Sequence, residues 1–162
     1  TVKITKKLKA DKFVFYSDTI CKEDIWNCEV FRKKVQHGED LGQRMANAFQ
    51  EIFKLGYKEI IIIGSDILDL YEEDLQEAFK ALETFEYVLG PSEDGGYYLL
   101  GMNHFNENLF KNKTWGTDTV LRDTLIDLKN EHLQLLEERN DIDVYDDIKD
   151  EPVFQQFLNK TN

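Results

Sequence analysis

Proline and cysteine are nearly missing from this chain: there are two of each in 162 residues, with only nine glycines. So little proline and glycine excludes a fibrous repeat or a low-complexity disordered segment. Cys21 and Cys28 have no companion His or Cys at metal-finger spacing. That excludes a disulfide framework or a zinc knuckle, and the pair reads as reduced thiols of a cytosolic protein. Positive charge is also short, with 20 Lys and Arg against 32 Asp and Glu, a formal net charge of -12. A surface of that sign repels a phosphate backbone, so nucleic acid and anionic membranes are not expected partners. An anionic ligand would need a cation to bridge it. No apolar run approaches the ~18 residues of a membrane span, and the stretch TVKITKKLKAD has no signal-peptide core. The expected location is therefore cytoplasmic, and the NKT triplets at Asn112 and Asn159 read as chance sequons. No GxSxG elbow, HExxH pair or P-loop is present, which removes the usual serine-hydrolase, zinc-protease and NTPase readings.

What is present is a composition 41% hydrophobic and 12% aromatic, enough for one packed domain that needs no staples. Val2 to Leu8 reads as a short helix, and KFVFYSD as a buried strand. The segment from Thr19 to Asp40 has no clear period and reads as a loop with short pieces of structure. Leu41, Met45, Ala48, Phe49, Ile52 and Leu55 then recur at helical spacing, stopped by Gly56. Four isoleucines before Gly64 predict a central strand covered on both faces. A helix follows, with Leu75, Ala78, Phe79 and Leu82 on one face and three acids in its first turn. YVLGP and YYLLGM are two strands too close in sequence for a parallel crossover, so they form an antiparallel pair. A short helix near Asn106 to Lys111, a helix in TDTVLRDTLIDLKN, a strand at LQLLEE and a terminal helix near Val153 to Leu158 complete the order. The pattern predicts one α/β domain with a mixed, mostly parallel sheet and helices on both faces.

In such sheets ligands collect beyond the carboxyl ends of the strands. Four polar groups lie there: Ser17 with Asp18, Ser65 with Asp66, Glu93 to Gly96, and Asp141 with Asp143. Asp66 ends the most hydrophobic strand, where a carboxylate on a rigid element could hold a divalent metal. Taken alone, it reads equally well as the cap of the next helix. Asp94, Gly95 and Gly96 are explained locally by a tight turn. Gly42, in the first turn of its helix, costs roughly 1 kcal/mol relative to Ala, which points to close backbone approach.

The pieces GEDLGQRMANAF, IIIIGSD, VLGPSEDGGYYLLGM, WGTDTVLRDT and NDIDVYDDI, in this order, resemble a family of small bacterial proteins described as glycosyltransferase-like or nucleotide-diphospho-sugar transferase-like. That family is related to the 2-phospholactate and molybdopterin guanylyltransferases. The resemblance implies a glycosyltransferase-A type fold, with Mg²⁺ or Mn²⁺ and a nucleotide or nucleotide-sugar at the site, and a small-molecule acceptor beside it. It implies Asp66 and Asp143 as metal ligands, with Asp66 and Asp94 in catalysis. It implies Leu41 and Gly42 against the nucleobase, and Ser65, Gly95, Gly96, Trp115 and Thr117 as further binding residues.

Two departures from the family pattern stand out. Leu68 replaces the proline usual after the central acid. The strand and basic phosphate loop with which relatives begin are not found, so the resemblance implies a single domain shortened by its first ~40 residues, within usual single-domain sizes. The missing strand would lie beside KFVFYSD and IIIIGSD. A second reading is an inactive binding domain that kept the fold. A third, a haloacid-dehalogenase-like phosphatase, wants an Asp-x-Asp pair, whereas Asp66 and Asp69 are three apart.

Overall fold

A computed structural model describes residues 1–64, 67 and 70–139. Ser65, Asp66, Asp141, Asp143 and the expected terminal helix lie outside the described residues. The order is α1 (Val2–Thr5), β1 (Lys12–Tyr16), β2 (Phe31–Val35), α2 (Leu41–Lys54), β3 (Ile60–Ile63), α3 (Glu72–Leu82), β4 (Tyr87–Pro91), β5 (Tyr97–Met102), a 3₁₀ turn (Glu107–Phe110), α4 (Val120–Asp127) and β6 (Leu133–Leu135). No helix among the described residues is long and apolar enough to cross a membrane.

The strands form two sheets, β1-β2 and β3-β5-β4-β6. The expected antiparallel hairpin is β4 with β5, with a bulge at Gly90 and Pro91. β5 also pairs antiparallel with β3, and β4 pairs parallel with β6. Three strands of the larger sheet thus run one way and β5 alone runs against them. The isoleucine strand is not at the centre of this sheet. β5 lies between it and β4, which leaves Ile61, Ile62 and Ile63 half-buried while Val88 and Leu89 on β4 are fully enclosed. β1 pairs only with β2, and β3 only with β5, among the described residues. Both nevertheless belong to one core, since Phe13 and Phe15 pack on the same cluster as Ile60.

Strand alternation divides that core between two layers. Tyr87 and Leu89 face the cluster of α2, the 3₁₀ turn and α4, around Phe49, Ile52, Leu109 and Leu128. Val88 faces the other layer, built from Leu75, Ala78 and Leu82 of α3. Each fully buried Val, Leu, Ile or Phe among them contributes about 1.5–3 kcal/mol of transfer free energy. Helices therefore cover both faces, as the composition of the segments requires. The segment without periodicity contains β2, in parallel register with β1 from Lys12 opposite Phe31 to Tyr16 opposite Val35.

Candidate functional site

The loop that joins β4 to β5 is closed by its own polar groups. Asp94 Oδ1 accepts from Ser92 Oγ at 2.8 Å and from the Gly96 amide at 2.8 Å. The Gly95 amide donates to the Ser92 carbonyl, and the Ser92 amide to the Gly96 carbonyl, both at 3.1 Å. Asp94 thus first does what a turn aspartate does, although its side chain stays exposed at the surface. Gly95 takes φ +85°, and a Cβ there would lie 2.3 Å from the Asp118 carbonyl oxygen. Its own carbonyl accepts from the Leu121 amide at 2.9 Å, satisfying one of the amides that the first turn of α4 leaves without an intrahelical partner. The glycine lets the loop sit flat on the start of that helix.

The chain just before α4 carries Trp115 and Thr117. The Thr117 hydroxyl is held by its own turn, donating to the Thr114 carbonyl at 2.7 Å and lying 3.0 Å from the Thr119 hydroxyl. Trp115 reaches onto the first turn of α2. A Cβ on Gly42 would fall 2.2 Å from its indole Nε1. The close approach expected at Gly42 is therefore made by this chain's own indole. Asp40 caps the same helix by accepting from the Gln43 amide at 2.7 Å, and Leu41 beside it is half exposed. Gly42, Trp115, Thr117, Gly95, Gly96 and Asp94 thus form one connected stretch, with Leu41 at its edge.

Arg139 belongs to this region too, and no pattern in the sequence points to it. Its amide donates to the Pro91 carbonyl at 3.0 Å, and its carbonyl accepts from the Glu93 amide at 3.1 Å, a parallel bridge opposite Ser92. Its guanidinium lies 2.8 Å from Asp74 Oδ1 and 3.1 Å from Glu137, and 5.4 Å from the centre of the Tyr71 ring. Asp74 Oδ2 accepts from the Tyr71 amide at 2.8 Å, so one carboxylate holds both the helix start and the arginine. Burial works against the Arg139 charge, yet the bond to Asp74 and the charges of Asp74 and Glu137 outweigh it and hold its pKa above the ordinary value.

Along the outer side of α4 runs an open groove of about 430 Å³, bordered by Gly95, Asp118, Leu121, Arg122, Leu125 and Lys129. Among the described residues no group of three His, Cys, Asp or Glu could hold a metal ion. The expected ligands Asp66 and Asp143 are outside that set. Their chemistry, two hard carboxylates, is of the kind that Mg²⁺ or Mn²⁺ takes.

Residues 1–117 match the protein family described as "Uncharacterized protein conserved in bacteria (DUF2064)". No curated protein matches the chain. Among solved structures, the chain is similar to one from Desulfovibrio desulfuricans G20 described as a "putative nucleotide-diphospho-sugar transferase". The identity is 27% and the TM-score 0.81, over 95% of this chain and 74% of that one. The mixed α/β architecture is accordingly that of a nucleotide-diphospho-sugar transferase fold.

Proposed function

We propose, from the premise that the chain belongs to the DUF2064 family of bacterial proteins, that it is a metal-dependent transferase binding a nucleotide or nucleotide-sugar and passing a glycosyl or nucleotidyl group to a small-molecule acceptor. The observation that carries this reading is the junction made by residues 115–118. Trp115 closes on Gly42 at the start of α2, while Asp118 receives Gly95 of the β4-β5 loop. Three motifs that are far apart in sequence thereby adjoin beyond the end of β4, where open α/β sheets bind ligands.

The likeness to the Desulfovibrio protein supports the donor class. Asp66 and Asp143 would hold Mg²⁺ or Mn²⁺, and the metal would neutralise charge on the donor's phosphates. The chain's own part is positional. The Ser92–Gly96 turn, locked by Asp94, fixes one wall, and the Trp115 indole fixes the edge next to Leu41. With a net charge of -12, the metal also supplies the positive charge that the surface lacks.

The test is a thermal melt with nucleoside triphosphates and nucleotide-sugars, each with and without Mg²⁺ or Mn²⁺. A ligand at about 100 times its Kd adds roughly 2.7 kcal/mol, a rise of several degrees for a chain of this size. The expected result is a metal-dependent rise with one donor class that is lost in Asp66→Asn and Asp143→Asn. A melt unmoved by every combination, or one that moves equally in Asp66→Asn, would overturn the proposal.

A further inference from the structure

We propose that the groove along α4 binds an amphipathic organic anion, a carboxylate carried on an apolar body, and that this is the acceptor class of the transferase proposed above. The inference rests on that reading and deepens it by naming the substrate that the β4-β5 loop would face. Val120, Thr124 and Leu128 are buried and mark the inner side of α4. Leu121, Leu125 and Ile126 fall on the adjoining side and form the groove's apolar floor, with Gly95 and Asp118 at one end and Lys129 at the other. Its volume of about 430 Å³ lies within the range of small-molecule sites, roughly 300–1,000 Å³.

Leu121 and Leu125 are half-buried, while Ile126 keeps 57% of its surface exposed in the same groove as Gly95. The charges are unevenly placed. Asp118 stands next to the β4-β5 loop and Lys129 at the far end, and among the described residues neither side chain has a hydrogen bond or an ion pair. Arg122 lies between them and is engaged by Asp123 of its own helix at 3.1 Å. An anion entering the groove therefore meets repulsion at the loop end and an unpaired ammonium at the other. Leu121 and Lys129 are eight positions apart, about 12 Å of helix. An apolar body of that length sets its carboxylate at Lys129 and its other end beside Asp118 and Gly95. There the Asp118 carboxylate, which can only accept, suits a hydroxyl. On a chain of net charge -12, an apolar surface without such a lysine would favour a cationic amphiphile over an anionic one. Preference for the anion is therefore what this groove in particular predicts.

The experiment is a titration of the intact chain, free of metal and nucleotide, followed by the amide shifts in ¹H-¹⁵N spectra. The probes are octanoate, butanoate, octylammonium and 1-octanol. Octanoate is expected to bind tightest and to move the amides of Gly95, Leu121, Leu125 and Lys129. Butanoate should bind at least about tenfold more weakly for want of apolar length, and octylammonium several-fold more weakly. Lys129→Gln should weaken octanoate roughly 2–5-fold, the range of an exposed ion pair. Lys129→Glu should reverse the preference toward octylammonium. Ile126→Ser should weaken octanoate and 1-octanol alike, by about fivefold. Lys54→Gln, on α2, is the control and should leave all four affinities unchanged.

Octylammonium binding as tightly as octanoate, an octanoate affinity unmoved by Lys129→Glu, or shifts confined to other elements would overturn the proposal. So would a dimer in analytical ultracentrifugation that Ile126→Ser dissolves, since the groove would then be an interface between copies of this chain. The donor melt separates this site from the reading on which it rests. If octanoate binds as expected while no nucleotide and metal combination moves the melt, the anion site stands and its role as acceptor site falls with the transferase. If the melt responds to a donor and octanoate does not bind, only the groove assignment fails.

Discussion

The indole of Trp115 occupies the space that a side chain at position 42 would need, with Nε1 2.2 Å from the position of a Cβ on Gly42. The glycine is thus required by a neighbour 73 positions along the chain, and the first turn of α2 accepts its helix-propensity cost to seat an aromatic ring.

Gly42→Ala is expected to destabilise the protein by about 1–3 kcal/mol, the usual range for overpacking, although alanine is the better helix former. Denaturant unfolding measures the loss. In a Trp26→Phe background, leaving Trp115 as the one tryptophan, its emission should shift toward that of exposed tryptophan as the ring is expelled. A Gly42→Ala protein that is more stable, with unchanged emission, would show that the ring does not need this space.

The β4-β5 loop gives a test that separates the structural work of Asp94 from chemistry. Asp94→Ala removes the acceptor for Ser92 Oγ and the Gly96 amide and is expected to cost about 1–2 kcal/mol. Asp94→Asn keeps an oxygen in place and should retain most of that stability. If Asp94→Asn nevertheless abolishes transfer while melting like the native protein, the charge acts on the substrate. If it transfers normally, the residue serves the turn alone. Gly95→Ala should be worse than Asp94→Ala, because φ +85° and the Asp118 carbonyl oppose any Cβ there.

A third test concerns the loop between β1 and β2. Asp24 accepts from the Tyr16 hydroxyl, from Lys33 Nζ at 2.8 Å and from the Trp26 amide at 2.8 Å, while Lys33 also donates to the Cys21 carbonyl at 2.7 Å. Lys33 and then Tyr16 hold the Asp24 carboxyl below its ordinary value, and Asp24 holds the Lys33 ammonium above its own. A depressed carboxyl stabilises the fold above the ordinary aspartate pKa of about 3.9, and the contribution is lost as pH falls through the lower, folded value. A raised lysine stabilises below about 10.4, and its contribution is lost as pH rises through the higher, folded value. Protection of the amides of residues 18–30, taken relative to intrinsic exchange at each pH, should accordingly persist between those limits and fall on the acid side. Asp24→Asn should lose that protection already at neutral pH. Retained protection in that variant would mean that the three-way contact does not hold the loop.

Much of the architecture could be read directly from the residues, for reasons that are local. Leu41 to Leu55 repeats its apolar residues at the period of a helix and follows a capping aspartate, and α2 runs Leu41–Lys54 with Asp40 as its cap. YVLGP and YYLLGM are separated by too few residues to do anything but fold back, and they pair as β4 and β5. FRKKV, by contrast, lies in the segment without a clear period, read as a loop with short pieces of structure. It becomes β2 because its ladder partner is β1, and a parallel ladder is chosen by a contact across the chain.

What the chain's own composition and order determined, then, is most of the described elements, the hairpin, the two apolar layers and the family that the motifs resemble. The tertiary structure alone decided that β5 separates the isoleucine strand from β4, that the Trp115 indole lies against Gly42, and that Arg139 meets Asp74 across 65 positions. Periodicity and turn chemistry act within a few residues, so a sequence displays them openly. A clasp between distant side chains leaves no period or spacing to read, because its distance is set only once the sheet has brought the segments together.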